Sequence, residues 1–320
     1  MTDQIVVRRE GAVEIIAFSN PPMNFITHLM LRQFHRELRR IERDDGVRVL
    51  VLTGGIPDSF LTHYDVSELL QISELGSAPG PLRLRLGNWL FRRMHRHPRF
   101  EQRMLRRLEQ SSPAEQGIVY WSLCVELLDT MPKPVIAAIN GLALGGACEI
   151  SLCCDFRYMA RGEHYLIGLP EVVIGLIPGG TGTPLRLPRI VGEARALEML
   201  MTGQLYTPEE AKHMGLVHET FPAEELMPAT MAMAERLARG APVALEAIRR
   251  EVRQGSRMDY REARLLDLMA GNAALFTEDA RRAMRRYVDL VSRFETLDLA
   301  KTLEATKDLR AGREVEFLGQ

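Results

Sequence analysis

Short apolar runs alternate with segments of helical periodicity through the first half of the chain. These runs predict buried strands because they are rich in Val and Ile and are bounded by turn residues. Elsewhere apolar residues recur every three or four positions, which predicts amphipathic helices. The predicted strands are residues 5–7, 13–18, 47–53, 135–139 and 155–160, with a hairpin turn at 8–11. The predicted helices are residues 27–44, 118–131 and 146–152, and their alternation with the strands predicts an α/β fold.

The second half of the chain is predicted to be almost wholly helical from Pro184 onward. Glycines and prolines divide it into blocks, and residues 224–253 and 261–294 have amphipathic patterns. The last residues, 296–320, are polar with few apolar positions. We expect this tail to be poorly ordered or docked on a neighbouring molecule.

A strongly basic segment, residues 73–115, interrupts the α/β pattern. It carries nine arginines against four glutamates, a net charge of +5 in a chain whose total is −1. The arginines are Arg83, Arg85, Arg92, Arg93, Arg96, Arg99, Arg103, Arg106 and Arg107. Four interpretations stay open: a helical insertion packed on the domain, a lid over an anionic substrate, a partner-docking surface, or a membrane-surface helix.

The bulk composition is that of a globular protein, with 46% hydrophobic and 26% charged residues. The near-zero total charge gives no reason to expect DNA as a partner. Four cysteines lack the paired spacing of a zinc site, so we expect buried, reduced thiols. The first residues lack the charged-then-apolar pattern of a secretion signal, and we therefore expect a cytoplasmic protein.

Residues 135–154 join a predicted strand to a glycine-spaced turn and then to a helix that carries Glu149. Gly145 and Gly146 lie where that helix begins, and unpaired N–H groups at a helix start can hold an anion. The stretch is long enough for a membrane span, but Asn140 and Glu149 argue against one. The glycine spacing differs from that of a dinucleotide-binding loop. A tightly packed strand and helix without chemistry is the remaining alternative.

A second glycine-rich segment, residues 168–183, contains Glu171. Glu149 and Glu171 both lie among apolar residues, and burial raises the pKa of a carboxyl group. Two such carboxyls can divide acid and base work between them. The spacing alone does not establish that they meet.

The two glycine-rich segments closely resemble those of the crotonase superfamily, the enoyl-coenzyme A (CoA) hydratases and isomerases. Residues 135–149 match one signature of that family, and residues 170–179 match its P-E-x-x-x-G-x-x-P-G motif. The resemblance implies a spiral of β-β-α units over residues 1–220, with residues 73–115 as an insertion. It also implies a helical region at residues 221–295 that forms trimers or dimers of trimers, with residues 296–320 as a tail.

The resemblance also implies an acyl-CoA thioester as substrate, with no metal and no further cofactor. The backbone N–H groups of Tyr64 and Gly146 would form an oxyanion hole that stabilises an enolate. Glu149 would activate water, and Glu171 would exchange a proton with the α-carbon. The remaining residues expected to contact substrate or CoA are Thr62, His63, Asp65, Gly145 and Phe276.

Two positions depart from the family pattern. Thr62 and His63 stand where Ala and Gly are usual, so His63 either adopts an unusual backbone conformation, points elsewhere, or serves as an extra base. Leu290 and Val291 stand where a Lys-Arg pair is usual. Other cations would then hold the CoA phosphates, and the candidates are Arg281, Arg282, Arg285, Arg286 and the arginines of the basic segment.

The presence of both glutamates favours an enoyl-CoA hydratase. An isomerase, a thioester hydrolase or a carbon–carbon bond hydrolase would use the same oxyanion hole and remain alternatives. A third class is a non-catalytic protein whose basic segment, residues 83–107, grips RNA, an acidic protein or an anionic membrane.

Overall fold

The structure, a computed structural model, describes residues 3–74, 80–179, 182–294 and 298–320. Its strands are β1 (Ile5–Glu10), β2 (Val13–Phe18), β3 (Val49–Gly54), β4 (Ser59–Leu61), β5 (Val135–Ile139), β6 (Leu142–Leu144), β7 (Phe156–Arg161), β8 (Ile167–Gly168), β9 (Leu205–Tyr206) and β10 (Glu219–Pro222). Two 3-10 helices span Pro170–Ile174 and Gly255–Arg257.

Its α-helices in the first 200 residues are α1 (His28–Arg43), α2 (Val66–Glu74), α3 (Pro81–Arg96), α4 (Pro98–Leu108), α5 (Pro113–Thr130), α6 (Gly146–Cys153), α7 (Thr183–Arg186), α8 (Pro188–Val191) and α9 (Glu193–Thr202). The later α-helices are α10 (Pro208–His213), α11 (Ala223–Ala238), α12 (Pro242–Gln254), α13 (Tyr260–Leu275), α14 (Glu278–Val291), α15 (Leu299–Ala305) and α16 (Lys307–Arg310).

The strands form two sheets. The larger has the order β1-β2-β3-β5-β7-β10, antiparallel between β1 and β2 and parallel elsewhere. The smaller has the order β4-β6-β8-β9, with β4, β6 and β8 parallel. Its last pair, β8 and β9, is antiparallel.

Alternate residues of the central strands face two separate cores, as the period of two in a strand requires. In β3, Leu50 and Leu52 lie in the core that α1 and α5 complete, where Phe34 and Leu128 are fully buried. Val49 and Val51 lie in the opposite core, which α11 covers. Both faces of the sheet are therefore apolar, and the strands appear in the sequence as continuous apolar runs.

A repeated connection brings distant segments together. Three times, a strand of the larger sheet is followed by a strand of the smaller sheet, in the pairs β3–β4, β5–β6 and β7–β8. Because each set of three is parallel and adjacent, the segments that follow β4, β6 and β8 lie at the same end of the smaller sheet. Those segments hold residues 62–65, 145–149 and 169–171.

The predicted elements differ from the structure in several strands. β1 continues through residues 8–10, so the hairpin turn is at Gly11 and Ala12. The strands β4, β6 and β8 of the smaller sheet were not predicted, and the part predicted to be almost wholly helical also contains β9 and β10. β10 has four residues, too few to show the alternation that is typical of a strand. It pairs with β7 and completes the larger sheet.

The tail was expected to be loose or docked on a neighbour, and for residues 298–320 the structure shows it folded against its own chain. Asp279, which is 1% exposed, accepts hydrogen bonds from the backbone N–H groups of Leu318 (2.9 Å) and Gly319 (2.6 Å). Arg286 forms an ion pair with Glu314 at 2.9 Å. These contacts join residues far apart in sequence, so the local polarity of the tail gave no sign of them.

The basic segment forms α3 and α4, with residues 75–79 outside the described chain. Met94 is buried, and Phe91, Phe100 and Met104 pack against the larger core. Glu101 is 4% exposed and contacts both His35 and Arg39 of α1, at 3.1 and 2.8 Å. The inner face of the segment is therefore packed on the domain, as one of the four interpretations has it.

Among the described residues, no helix is both long and apolar enough to cross a membrane. All four cysteines lie in the described chain, and each is buried with a free thiol, as predicted.

Candidate active site

One cavity of about 570 Å³ lies at the end of the smaller sheet where the three segments meet. Its wall includes residues 63–64 from the first segment, residues 145, 146 and 149 from the second, and residues 170–171 from the third. A cavity of this size suits a small-molecule ligand. The structure therefore brings together both glutamates and both residues of the predicted oxyanion hole.

Glu149 enters this cavity from the first turns of α6. The helix begins directly after β6, and Glu149 is 4% exposed near its amino-terminal end, where the helix dipole favours a negative charge. The Thr183 hydroxyl donates a hydrogen bond of 2.9 Å to Glu149 Oε2. This contact fixes one carboxylate oxygen of Glu149.

Glu171 lies in the 3-10 helix Pro170–Ile174 on the facing wall. Its Oε2 is buried and has no hydrogen-bond partner among the described residues. Burial raises the pKa of Glu171 above its ordinary value. An isolated carboxyl of this kind keeps its proton to higher pH than an exposed glutamate, which suits it to donate a proton.

Gly145 permits the approach of the two motifs. Its φ is +53°, a conformation that side chains disfavour. A Cβ at this position would lie 2.8 Å from Glu171 Oε1 and 3.4 Å from the Cβ of His63. The glycine thus provides both the turn into α6 and the space that the Glu171 carboxylate occupies.

The backbone N–H of Tyr64 points away from Ile26, the residue that pairs with this loop. The Ile26 N–H donates to His63 O at 3.0 Å, and the Asp65 N–H donates to Ile26 O at 2.9 Å. A trans peptide places the His63 carbonyl and the Tyr64 N–H on opposite sides, so the Tyr64 N–H points away from Ile26. Gly146 is the first residue of α6, and its N–H has no acceptor within that helix.

The Tyr64 side chain is anchored below the cavity. Its hydroxyl donates to Glu68 Oε2 at 2.7 Å, and Glu68 Oε1 lies 2.7 Å from His28 Nδ1. Gly117 makes room, because a Cβ there would lie 1.9 Å from the Tyr64 hydroxyl oxygen. The ring also packs edge-on against Trp121, with 6.1 Å between centroids. These contacts fix the residue whose N–H is a predicted oxyanion donor.

We expect Tyr64→Phe to lower the free energy of unfolding by about 1.5–3 kcal/mol, the usual range for a hydrogen bond to a charged partner. Turnover should fall as well, because the loop that carries the Tyr64 N–H loses its anchor. Chemical denaturation and steady-state kinetics measure the two effects. Tyr158→Phe is the matched control, since Tyr158 is buried in the opposite core. Equal stabilities of Tyr64→Phe and the parent would contradict the anchoring role.

His63 lines the cavity without an unusual backbone conformation. Among the described residues other than glycine, positive φ values occur at Asn24 and Asp58, not at His63. Its ring lies 4.8 Å from that of Phe25, and Nδ1 lies 2.8 Å from Tyr64 O. A carbonyl only accepts, so Nδ1 is the donor and Nε2 of the neutral ring carries the lone pair.

Thr62 and Asp65 flank the cavity wall and have local structural contacts. Thr62 is buried, and its hydroxyl donates to Met23 O at 2.6 Å. Asp65 accepts a hydrogen bond from the Ser67 N–H at 2.9 Å and so caps the start of α2. Neither side chain lines the cavity.

Phe276 does not line this cavity within its own chain. It is 66% exposed beyond the end of α13. The arginines of α14 are also elsewhere. Arg281, Arg282 and Arg286 pair with Glu278, Asp279 and Glu314, and none of them lines the cavity. These ion pairs join neighbours on the helix or the folded tail, and a role of these arginines toward the CoA phosphates stays a prediction.

Two residues of the site were missed from the sequence. Trp121 lines the cavity from α5, and its Nε1–H donates to Gly179 O at 3.2 Å. Thr183 contacts Glu149 from the start of α7. The position of Thr183, the last residue of the second glycine-rich segment, was a usable signal, whereas Trp121 appeared only as part of an apolar helix.

The pKa of Glu171 predicts a pH-dependent effect of Glu171→Gln on stability. Its ordinary value is 4.5, and burial raises it in the folded chain. Between these two values the folded protein retains a proton that the unfolded chain has lost, so this residue lowers stability as pH rises through that window. Glutamine does not titrate. The variant should therefore melt at higher temperature than the parent above the window and like the parent below it.

Thermal melting across a pH series checks this sign. Glu246→Gln, which removes an exposed carboxylate on α12, is the control for the change in net charge. A variant that is less stable than the parent at neutral pH would contradict the assigned burial of Glu171.

Comparisons with known proteins agree with this architecture. The sequence profile of the family described as Enoyl-CoA hydratase/isomerase matches residues 104–295. The chain is 30% identical to the short-chain-enoyl-CoA hydratase of Clostridium acetobutylicum over 288 residues, which are 90% of this chain and 95% of that protein. It is 27% identical to the crotonyl-CoA hydratase of Syntrophomonas wolfei, again with 90% and 95% coverage.

Solved structures agree as well. An enoyl-CoA hydratase from Bacillus anthracis superposes with a TM-score of 0.71 at 26% identity, and the match covers 90% of this chain and 96% of that one. The crotonase-like α/β fold predicted from the two glycine-rich motifs is thus confirmed. The chain belongs to the enoyl-CoA hydratase/isomerase family.

Proposed function

We propose that this protein is an enoyl-CoA hydratase, which adds water across the C2–C3 double bond of a 2-enoyl-CoA thioester. One observation carries the proposal: Glu149, Glu171, Tyr64 and Gly146 all line the same cavity. Hydration needs a base for water, an acid for the α-carbon and donors for the thioester oxygen. These four residues offer each of those groups.

In the proposed reaction, the N–H groups of Tyr64 and Gly146 bind the thioester carbonyl oxygen. Glu149 takes a proton from water while the water oxygen forms its bond to C3, and the π electrons move toward the carbonyl to give an enolate. The two N–H groups stabilise that negative charge. Neutral Glu171 then gives its proton to C2, which completes the 3-hydroxyacyl thioester, and the two carboxyls exchange a proton with solvent to begin again.

The surroundings of the two glutamates support this division of roles. Burial raises the pKa of Glu171, so this carboxyl keeps a proton to higher pH than an exposed glutamate does, as a proton donor requires. Glu149 accepts a hydrogen bond from the Thr183 hydroxyl, which orients its carboxyl group in the cavity wall. Nε2 of His63, which carries the lone pair, belongs to the same wall and is available to orient water or thioester.

The lining of the cavity supports an acyl chain as the ligand. Leu69, Ile118, Trp121 and Ile177 form much of its wall, and apolar walls favour an acyl group over a polar one. CoA enters as part of the substrate.

We also propose that α13 contributes to a homotrimer. Tyr260 at its start is 74% exposed and Phe276 just beyond its end is 66% exposed, and large apolar residues exposed in this way are typical of a protein–protein interface.

Product analysis tests the reaction type. The purified protein is incubated with 2-enoyl-CoA thioesters of several chain lengths in water labelled with oxygen-18, and products are identified by mass spectrometry. We expect 3-hydroxyacyl-CoA that contains one labelled oxygen. A product of unchanged mass would indicate an isomerase, and free CoA would indicate a thioester hydrolase. Either result, without the labelled hydroxyacyl product, would overturn the proposal.

A further inference from the structure

A second cavity, of about 680 Å³, lies between α12 and the region of β7, α7 and α8. None of the residues that line it lines the candidate active site. The cavity is strongly charged, because six guanidinium groups from β7, α7, α8, α12 and the second 3-10 helix line it. They belong to Arg157, Arg186, Arg189, Arg249, Arg253 and Arg257.

Two carboxylates offset part of this charge. Asp129 forms a two-pronged pair with Arg186 at 2.7 Å and contacts Arg253 at 2.8 Å. Asp155 pairs with Arg249 and Arg253, each at 2.8 Å. Six cations minus these two anions leave a net charge of +4 around one cavity.

Three of the arginines lack a carboxylate partner among the described residues. Arg157 is 5% exposed and donates to two backbone carbonyls, Leu216 O at 2.7 Å and Cys154 O at 2.9 Å. Arg189 and Arg257 are exposed residues of the cavity lining and form no ion pair within the described chain. A buried cation without a carboxylate partner, such as Arg157, is costly, and clustered cations add mutual repulsion.

The other walls of this cavity are apolar. Ile190 lies on one side, and Ile248 and Val252 lie on α12. The cavity thus combines cationic and apolar lining residues, an arrangement that fits an anion attached to a less polar group. Guanidinium forks match the geometry of phosphate oxygens and bind them in pairs.

We propose that this arginine-lined cavity binds a multivalent oxyanion, of the phosphorylated small-molecule class, at a site separate from the active site. The anionic group contacts Arg189 and Arg257. Its negative charge also offsets the positive charge of the nearby Arg157, which has no carboxylate partner. The remainder of the ligand lies against Ile248 and Val252. This inference does not rest on the hydratase assignment, since no residue of the proposed reaction lines the cavity.

Inorganic pyrophosphate is the probe, and citrate tests whether a polycarboxylate serves as well. Calorimetry measures affinity and thermal melting measures stabilisation, both against sodium chloride at matched ionic strength. The test variant is Arg189→Gln with Arg257→Gln, which leaves the paired arginines intact. Arg186 is unsuitable for the test because α7 also carries Thr183 to Glu149.

The matched control is Arg43→Gln with Arg236→Gln, which removes two positive charges from exposed positions on α1 and α11 outside the cavity. We expect pyrophosphate to raise the melting temperature of the parent and the control alike. Affinity should fall at least tenfold in the test variant, because two charge-assisted contacts are lost. Tighter binding of pyrophosphate than citrate supports the phosphate class, and the reverse order would overturn that choice of ligand class.

Two results would overturn the site itself. The first is equal pyrophosphate affinity in the test and control variants, or none beyond the effect of sodium chloride. The second is that the parent binds no pyrophosphate, while the variant with both Arg189 and Arg257 replaced dissociates into smaller species in sedimentation experiments. That outcome would assign the cavity to the carboxylates of a second copy of the chain. Hydration assays on the same samples are independent, because failure of the proposed function leaves these binding results unchanged.

Discussion

Glutamine at position 149 or at position 171 should lower kcat for hydration by about 10²–10⁴-fold, the usual contribution of a positioned acid or base. Glutamine keeps the shape of each side chain but neither gives nor takes a proton at neutral pH. Both carboxyls line one cavity, and the proposed reaction uses each once per turnover. Steady-state kinetics with a 2-enoyl-CoA thioester measure the loss.

The two variants should differ when the substrate is a 3-enoyl-CoA thioester. Its conversion to the 2-enoyl isomer moves a proton between C2 and C4 and consumes no water, so it needs the oxyanion hole and the carboxyl near the α-carbon. Glu149→Gln should retain part of this isomerisation, whereas Glu171→Gln should lose both reactions. Retention by Glu171→Gln and loss by Glu149→Gln would contradict the assigned roles by exchanging them.

Glu101→Gln separates these effects from the general cost of removing a buried carboxylate. Glu101 is 4% exposed, like Glu149, but its contacts are with His35 and Arg39. This control should be less stable than the parent and should turn over normally while folded. Parent-like turnover in both Glu149→Gln and Glu171→Gln would overturn the hydratase assignment.

The meeting of Glu149 and Glu171 could be anticipated from the sequence because it depends on a regular repeat. Each motif follows a strand of the smaller sheet, and parallel pairing of β4, β6 and β8 aligns their ends. Local apolar runs were enough to identify β3, β5 and β7. The resemblance implied that the two glutamates share one site, whereas the strand pattern alone left their meeting open because β4, β6 and β8 were not predicted.

Other parts of the site depend on contacts that no local pattern encodes. The Tyr64–Glu68–His28 contacts join residues from two elements, and Gly117 matters only because the Tyr64 hydroxyl fills the space beside it. The charge of the arginine-lined cavity is likewise spread over residues 157–257, so no sequence window shows it. Pairing of this kind is set by tertiary packing, and the pattern of apolar positions leaves it open.

The His63 substitution shows a limit of the resemblance. A histidine in place of glycine suggested an unusual backbone, yet His63 has an ordinary φ, and Nδ1 is bound to Tyr64 O. The position with a positive φ is instead Gly145, on the facing motif. An unusual backbone was one of three interpretations of His63, and its ordinary φ removes that one, while the positive φ falls at a glycine that adopts it without strain.

Gly145→Ala should therefore impair the site while leaving every titratable group in place. Alanine at φ +53° costs about 1–3 kcal/mol of backbone strain. Its Cβ would also lie 2.8 Å from Glu171 Oε1, so the carboxylate or the turn into α6 must shift. The next residue is Gly146, whose N–H is a proposed oxyanion donor and would shift with the turn. Turnover should therefore fall by about 10²–10³-fold, the loss typical of one oxyanion donor.

Gly192→Ala is the matched control for this change. Gly192 has a φ of +83°, and a Cβ there meets no atom within 4 Å, so the substitution adds backbone strain without a clash. Melting temperature and kcat are measured for both variants at a temperature where both remain folded. Both should be destabilised, but Gly145→Ala alone should lose turnover. If the two variants lose stability and turnover to the same extent, the contact between Gly145 and Glu171 does not position the catalytic groups, because strain alone would then account for the loss.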